Sequence, residues 1–273
     1  MNLSTAILLG IVQGLTELFP VSSSAHLVIL QSFFPDFQQP GVAFDVILHL
    51  GTLLAVFFYF RVDIWTIIRS LIPANLISVS GPVDSAASRK LVLLLIIGTI
   101  PVVITGLLFR EKIHAAFESP QAAAFFLIIT GFLLFFSDKV KIPRCDAKKI
   151  TVTDSILIGI AQAFALLPGI SRSGATITAG IFRRLNRTEA ARFSFLLSLP
   201  AICGAVILES GYLKSISPAE ILPYAAGAIS AAAAGFLSLK LFFLIIRKAR
   251  LKFFAFYCWI FGIFTLLVKS PFF

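Results

Sequence analysis

Charge is scarce in this sequence. Only 13% of its 273 residues are charged while 58% are hydrophobic, and the mean hydropathy is +0.98. A soluble domain carries about 25% charged residues, so the deficit excludes an ordinary soluble globule. Cysteine is scarce too: Cys145, Cys203 and Cys258 are scattered and odd in number, so they form no metal spacing and no complete disulfide framework. Alternation of polar and apolar residues is missing from the apolar runs, which argues against a lipid-facing barrel and for helices. The opening Met1-Asn2-Leu3-Ser4-Thr5 lacks a basic n-region, and no clean small-x-small cleavage site follows. The first segment is therefore read as retained rather than as a signal peptide.

Long apolar runs are what the sequence has instead. A hydrocarbon core of about 30 Å takes about 20 helical residues to cross. Residues 91–109, 122–136, 193–208 and 253–268 are apolar runs without internal charge, and 42–60 is a fifth, apolar apart from Asp45 and His49 near its start. Residues 221–246 form a longer run whose single charge, Lys240, is near enough to the end to snorkel. Six spans are expected in one membrane domain covering 1–273.

Sliding the sequence against itself by 149 positions aligns its halves without a gap. Gly10, Gln13, Ser22 and Ser24 fall on Gly159, Gln162, Ser171 and Ser173, and Phe44 and Leu48 fall on Phe193 and Leu197. The repeats run approximately over 1–137 and 150–270. Each half opens with an apolar segment, reaches a Pro-containing break with serines after it, and resumes in a short segment. The breaks read Phe19-Pro20-Val21-Ser22-Ser23-Ser24-Ala25-His26 and Leu167-Pro168-Gly169-Ile170-Ser171-Arg172-Ser173-Gly174. Pro and Gly stop helices and Ser caps new ones, so each break suits a helix–turn–helix. The segments after them, 22–34 and 171–182, are too short to span. Interrupted segments at matching positions in two halves point to re-entrant hairpins meeting near the midplane. Three spans separate the hairpins, and this odd number inverts the second half. The expected fold class is therefore an all-α integral membrane protein with six transmembrane helices, two re-entrant helical hairpins and an inverted-topology repeat.

The net charge of +10 fits basic loops that fix membrane orientation better than it fits nucleic-acid binding. In this topology seventeen Lys and Arg residues fall on one side, including Arg61, Arg69, Lys139, Lys148, Arg183, Arg184, Arg187 and Arg192. Four fall on the other: Arg110, Lys112, Lys214 and Lys269. The richer side is read as cytoplasmic, with both termini outside.

Ionisable groups inside a membrane cost about 2.5–3.5 kcal/mol each on insertion scales. Glu17 and Arg172 sit at the two breaks, one per half. Gln13 and Glu17 are four apart and share a helical face; Ser22 and Ser23 precede His26 by four and three, so a short helix presents hydroxyl and imidazole together. Fresh helix N-termini at Ser22 and Ser171 offer free N–H groups to an anion, and Arg172 adds a fork for phosphate oxygens. This set suits phosphoryl chemistry on a membrane-embedded substrate. Plainer readings stand beside it. Ser22 and Ser171 are N-caps in any case, Glu17 and Arg172 would also serve as a structural ion pair, and His26 taken alone reads as a hydrogen-bonded core histidine. Asp45 and His49 read as a local structural pair with some cavity exposure.

The run from Gln13 through Glu17-Leu18-Phe19-Pro20-Val21-Ser22-Ser23 to His26, with Pro168-Gly169-Ile170-Ser171-Arg172-Ser173-Gly174-Ala175-Thr176, resembles the two signatures of the bacterial undecaprenyl-pyrophosphate phosphatase family (BacA type). The resemblance extends along the chain in length and span pattern. Gln13 departs from the Glu often found there, which removes one carboxylate from a two-carboxylate metal site. The resemblance implies dephosphorylation of the C55 isoprenoid pyrophosphate to the monophosphate carrier lipid, recycling it for peptidoglycan and conferring bacitracin resistance. It implies a site open to the outer face of the bacterial inner membrane, assisted by a divalent cation, Mg2+ or Ca2+, at Glu17. Carried onto this chain, Arg172 with Gln13, Ser22, Gly169, Ser171, Ser173 and Thr176 holds the pyrophosphate, while Ser23, Glu17 and His26 perform the chemistry. Ser23 is the expected nucleophile, with His26 or a water as the alternatives. The expected partners are the isoprenoid pyrophosphate lipid and membrane lipids, with no nucleic acid; a homodimer is the assembly considered. A transporter or flippase for a lipid phosphate is the rival reading, since inverted repeats with broken helices are common there.

Overall fold

The computed structural model describes residues 1–32, 42–72, 85–141, 150–213, 216–247 and 250–269. Cys145, Lys148 and Lys214 lie outside the described residues, as does the end of the segment expected after the first break. Among the described residues every regular element is a helix. In chain order these are α1 (Leu3–Leu18), α2 (Ser23–Gln31), α3 (Val42–Tyr59), α4 (Arg61–Leu71), α5 (Ser85–Leu108), α6 (Arg110–Phe117) and α7 (Pro120–Ser137). The second half supplies α8 (Val152–Phe164), α9 (Arg172–Phe182), α10 (Arg187–Leu208), α11 (Ser210–Leu213), α12 (Ile221–Ile246) and α13 (Lys252–Val268).

Each of the six apolar runs falls on one helix: α3, α5, α7, α10, α12 and α13. Among the described residues, four stretches suffice by length and composition to cross a membrane, Ala86–Leu108, Pro120–Ser137, Arg187–Leu208 and Pro218–Ile246. A fifth candidate is α3 with α4, bent by 76° where they meet. The sixth run, α13, is 17 residues long. The outer surface is apolar: Ile229 and Leu244 on α12 and Ile260 on α13 are among its most exposed residues. A contiguous apolar exterior of this kind needs hydrocarbon rather than water around it. The chain is thus a multi-pass membrane protein.

Small residues let the buried helices approach closely. Gly10 and Gly14 of α1 face the Gly227, Ala231 and Gly235 backbone of α12, where any Cβ would clash with main-chain atoms. Gly159 of α8 meets Gly98 of α5 in the same way. Gly10 and Gly159 are a pair related by the 149-residue shift. The first helix of each half therefore packs on a helix of the other half.

Ion pairs gather the basic residues at one rim. Arg192 pairs with Asp63, Arg187 pairs with Asp138 at 2.7 Å, and Arg183 pairs with Asp154 at 2.7 Å. At the opposite ends of these helices Arg110 pairs with Glu209 at 3.0 Å, and the Lys269 ammonium donates to the Ser32 carbonyl at 3.1 Å.

Candidate active site

Both breaks form as helix–turn–helix units whose members pack together, α1 on α2 and α8 on α9. In the first, Pro20 halts α1 and the Val21 amide closes a tight turn onto the Phe19 carbonyl at 2.8 Å. Ser22 then takes φ 65°, a conformation rare for a residue with a Cβ. That turn aims its side chain at the new helix, where Oγ accepts from the Ala25 amide at 3.4 Å. In the second break Gly169 adopts φ 102°, and Ser171 Oγ caps α9 by accepting from Gly174 N at 3.1 Å. Both expected N-caps are present.

The two units bring their functional ends into one cavity of about 540 Å³. Glu17, Ser22, Ser23, Ser171 and Arg172 line it. Glu17 is the hub. Ser23 Oγ donates to Glu17 Oε2, Arg172 Nη2 donates to Oε1 at 2.5 Å, and Gln13 Nε2 donates to Oε2 at 3.3 Å. The carboxylate thus touches a hydroxyl from its own half and a guanidinium from the other. Ser23 and Arg172 are the first residues of α2 and α9, so both stand where N-terminal amides and helix dipoles favour an anion.

The remaining expected residues make hydrogen bonds within the protein. Gly169 C=O accepts from Thr130 Oγ1 at 2.8 Å, and its N–H donates to Ser24 Oγ at 3.4 Å. Ser173 Oγ donates to the Phe19 carbonyl at 3.3 Å, tying the breaks together. Thr176 Oγ1 lies 2.8 Å from the Arg172 carbonyl and 2.6 Å from Ser194 Oγ. His26 turns away from Glu17. Its Nδ1 is 2.7 Å from the Ser22 carbonyl and its Nε2 is 2.7 Å from the Tyr257 hydroxyl. Its ring stacks on Phe261 at 4.6 Å between centroids.

The imidazole that faces Glu17 is His49 of α3, with Nε2 3.7 Å from Oε2. Its Nδ1 lies 2.7 Å from the Asp45 carbonyl, an acceptor only, so Nδ1 carries the proton. The four-residue spacing from Asp45 to His49 shows the local pair, but nothing local shows that α3 packs beside α1. Gln162 also lines the cavity and is 1% exposed. Its Nε2 and Oε1 have no hydrogen-bond partner within the protein, and neither does Arg172 Nη1. A buried polar group left in that state costs about 1–3 kcal/mol. Its signal in the sequence was its equivalence to Gln13. The cavity continues to Arg110, His114, Glu118 and Glu209, the rim opposite the basic one.

Among the described residues no three His, Cys, Asp or Glu side chains gather as a metal site. One carboxylate with room for phosphate oxygens matches the way Mg2+ is held by a protein together with its substrate. Chemically the arrangement offers a hydroxyl already bonded to a buried carboxylate, with positive charge and helix ends around it.

A family model described as Bacitracin resistance protein BacA matches residues 6–264. The chain is 44% identical over 263 residues to the undecaprenyl-diphosphatase of Syntrophotalea carbinolica, covering 96% of this chain and 97% of that one. It is 41% identical over 272 residues to the undecaprenyl-diphosphatase of Methanobrevibacter smithii, covering 96% of each. With the enzyme of that name from Carboxydothermus hydrogenoformans it shares 38% identity over 277 residues, covering 99% of this chain and 98% of the relative.

Proposed function

The chain belongs to the bacitracin resistance protein BacA family, and from that premise we infer that it is a membrane phosphatase hydrolysing undecaprenyl pyrophosphate to undecaprenyl phosphate. The observation that carries this reading is the Ser23 hydroxyl bonded to the Glu17 carboxylate, with Arg172 on the other carboxylate oxygen. A flippase needs the cation and the helix ends but has no use for a hydroxyl paired with a base.

In the proposed mechanism Ser23 Oγ attacks the terminal phosphorus while Glu17 Oε2 takes its proton. The bond from that phosphorus to the bridging oxygen breaks, Glu17 passes the proton to that oxygen, and undecaprenyl phosphate leaves. Water, deprotonated by the freed Glu17 carboxylate, then attacks the phosphoserine; the phosphorus–Oγ bond breaks, the proton passes from Glu17 to Ser23 Oγ, and phosphate is freed. Arg172 and the N-termini of α2 and α9 stabilise the charge on the transferring group. Both ring nitrogens of His26 are engaged, which favours Ser23 as nucleophile and makes His26 a positioning residue that fixes the Ser22 turn. A divalent cation would be held by Glu17 and pyrophosphate oxygens, and would neutralise charge on the departing phosphate.

The finer topology belongs to this reading: six spans, the two break units as re-entrant hairpins, and halves of opposite orientation. The exchanged packing of α1 on α12 and α8 on α5 supports the repeat, since related helices make related contacts. The cavity reaches the Arg110 rim, poor in basic residues and therefore the outer face. It supports the reading of a bacterial inner-membrane protein with both termini outside and the site accessible from that side. Phosphate release from undecaprenyl pyrophosphate by purified protein in detergent, where no compartments exist, tests the activity. Its absence under conditions where the protein is folded would return the reading to transport.

A further inference from the structure

The two halves place equivalent glutamines one turn before equivalent breaks, and only the first has an acceptor for its amide nitrogen; its Oε1, like both amide atoms of the second, has no partner within the protein. Gln13 Nε2 donates to Glu17, four residues on. The 149-residue shift carries Gln13 to Gln162 and Glu17 to Leu166, so the second half has no carboxylate for its glutamine. Gln162 accordingly has both amide atoms buried and unpartnered in the wall of the cavity. The same shift carries Ser23 to Arg172, whose Nη1 is also buried and unpartnered. The halves have therefore divided the work. The first holds the hydroxyl and its base, while the second holds a neutral donor and a cation with no acidic residue between them.

Resting on the phosphatase reading, we propose that Gln162 is a substrate-binding residue, whose Nε2 donates to a non-bridging oxygen of the pyrophosphate beside Arg172 Nη1. The anion supplied by the substrate takes the part that Glu17 plays for Gln13. An amide is suited to this place because it adds a donor without a second fixed charge. Its Oε1 accepts from a phosphate oxygen that retains a proton, which no lysine or arginine there would do. Leu166, which also lines the cavity, leaves that approach free of a competing carboxylate.

The test compares wild type, Gln162→Met and Gln162→Glu as purified protein. Methionine keeps the length and removes the hydrogen bonds, whereas glutamate keeps the shape and adds like charge. Three readouts are taken: melting temperature without ligand, dissociation constant for inorganic pyrophosphate by thermal shift, and KM for undecaprenyl pyrophosphate. Losing one hydrogen bond to a charged group weakens binding roughly tenfold to a hundredfold. Both constants should rise by that much in the methionine variant and further in the glutamate variant, with the methionine variant melting no lower than wild type. A lower melting temperature with wild-type KM and dissociation constant would make Gln162 structural and overturn the proposal. Should methionine fail to fold, wild-type affinities in the glutamate variant overturn it alone. Wild-type protein that binds pyrophosphate through Gln162 but releases no phosphate from the lipid would sink the phosphatase reading and leave the binding role standing.

Discussion

Arg172 Nη2 bonds Glu17 Oε1 at 2.5 Å across 155 positions of sequence. The bond joins the first residue of α9 to the end of α1 and so locks the two break units together. It also leaves Arg172 with one spent nitrogen and one unpartnered, Nη1. A single guanidinium thus holds the Glu17 carboxylate with one nitrogen and keeps another without a protein acceptor, a division that an ammonium has no geometry for.

Arg172→Lys keeps the charge and loses this fork. Turnover should fall about a hundredfold or more, the scale for removing one donor to a developing anion, with the melting temperature close to wild type. Near-normal phosphate release in the lysine variant would show that a point charge is enough.

Ser22 and Ser23 are neighbours with different work. Ser22 caps α2, and losing a cap costs about 0.5–2 kcal/mol, so Ser22→Ala should melt earlier and keep appreciable turnover. Ser23→Ala should melt near wild type and lose turnover, because the group bonded to Glu17 is gone. The idea is sunk if Ser23→Ala retains most of its activity; the attacking group is then His26 or water.

His26→Phe preserves the stacking on Phe261 and removes both hydrogen bonds of the ring. With His26 as a positioning residue, melting temperature and turnover should decline together, with measurable phosphate release remaining. Complete loss of turnover in a variant that melts like wild type would instead put the imidazole in the reaction.

Orientation is open to labelling in a cysteine-free background, with Cys145, Cys203 and Cys258 replaced. Lys112→Cys, on the Arg110 rim, should react with an impermeant thiol reagent on intact cells, and Lys139→Cys should react only after lysis. The reverse pattern would invert the topology and place the cavity mouth on the cytoplasmic side.

The sequence by itself determined the solvent and the local geometry of the site. Low charge and unbroken apolar runs demand hydrocarbon, because each span satisfies its own backbone hydrogen bonds and needs no partner to be recognised. Pro20, Gly169 and the capping serines act within a few residues, so both breaks and both N-caps were legible. The Gln13–Glu17 bond was legible too, being one helical turn. What tertiary structure decided was which groups meet across turns and halves. His26 lies three residues from Ser23, yet its ring is claimed by Tyr257 of α13. His49, read as half of a local pair, reaches Glu17 because small residues bring both α1 and α3 onto α12: Gly10 and Gly14 from α1, Gly51 from α3. Gln162 looks the same as Gln13 in sequence, and only the packing around it leaves its amide nitrogen without a partner within the protein. Hydrogen bonds are short and directional, so a residue's spacing can fix the face it presents, while the group waiting on that face is set by packing.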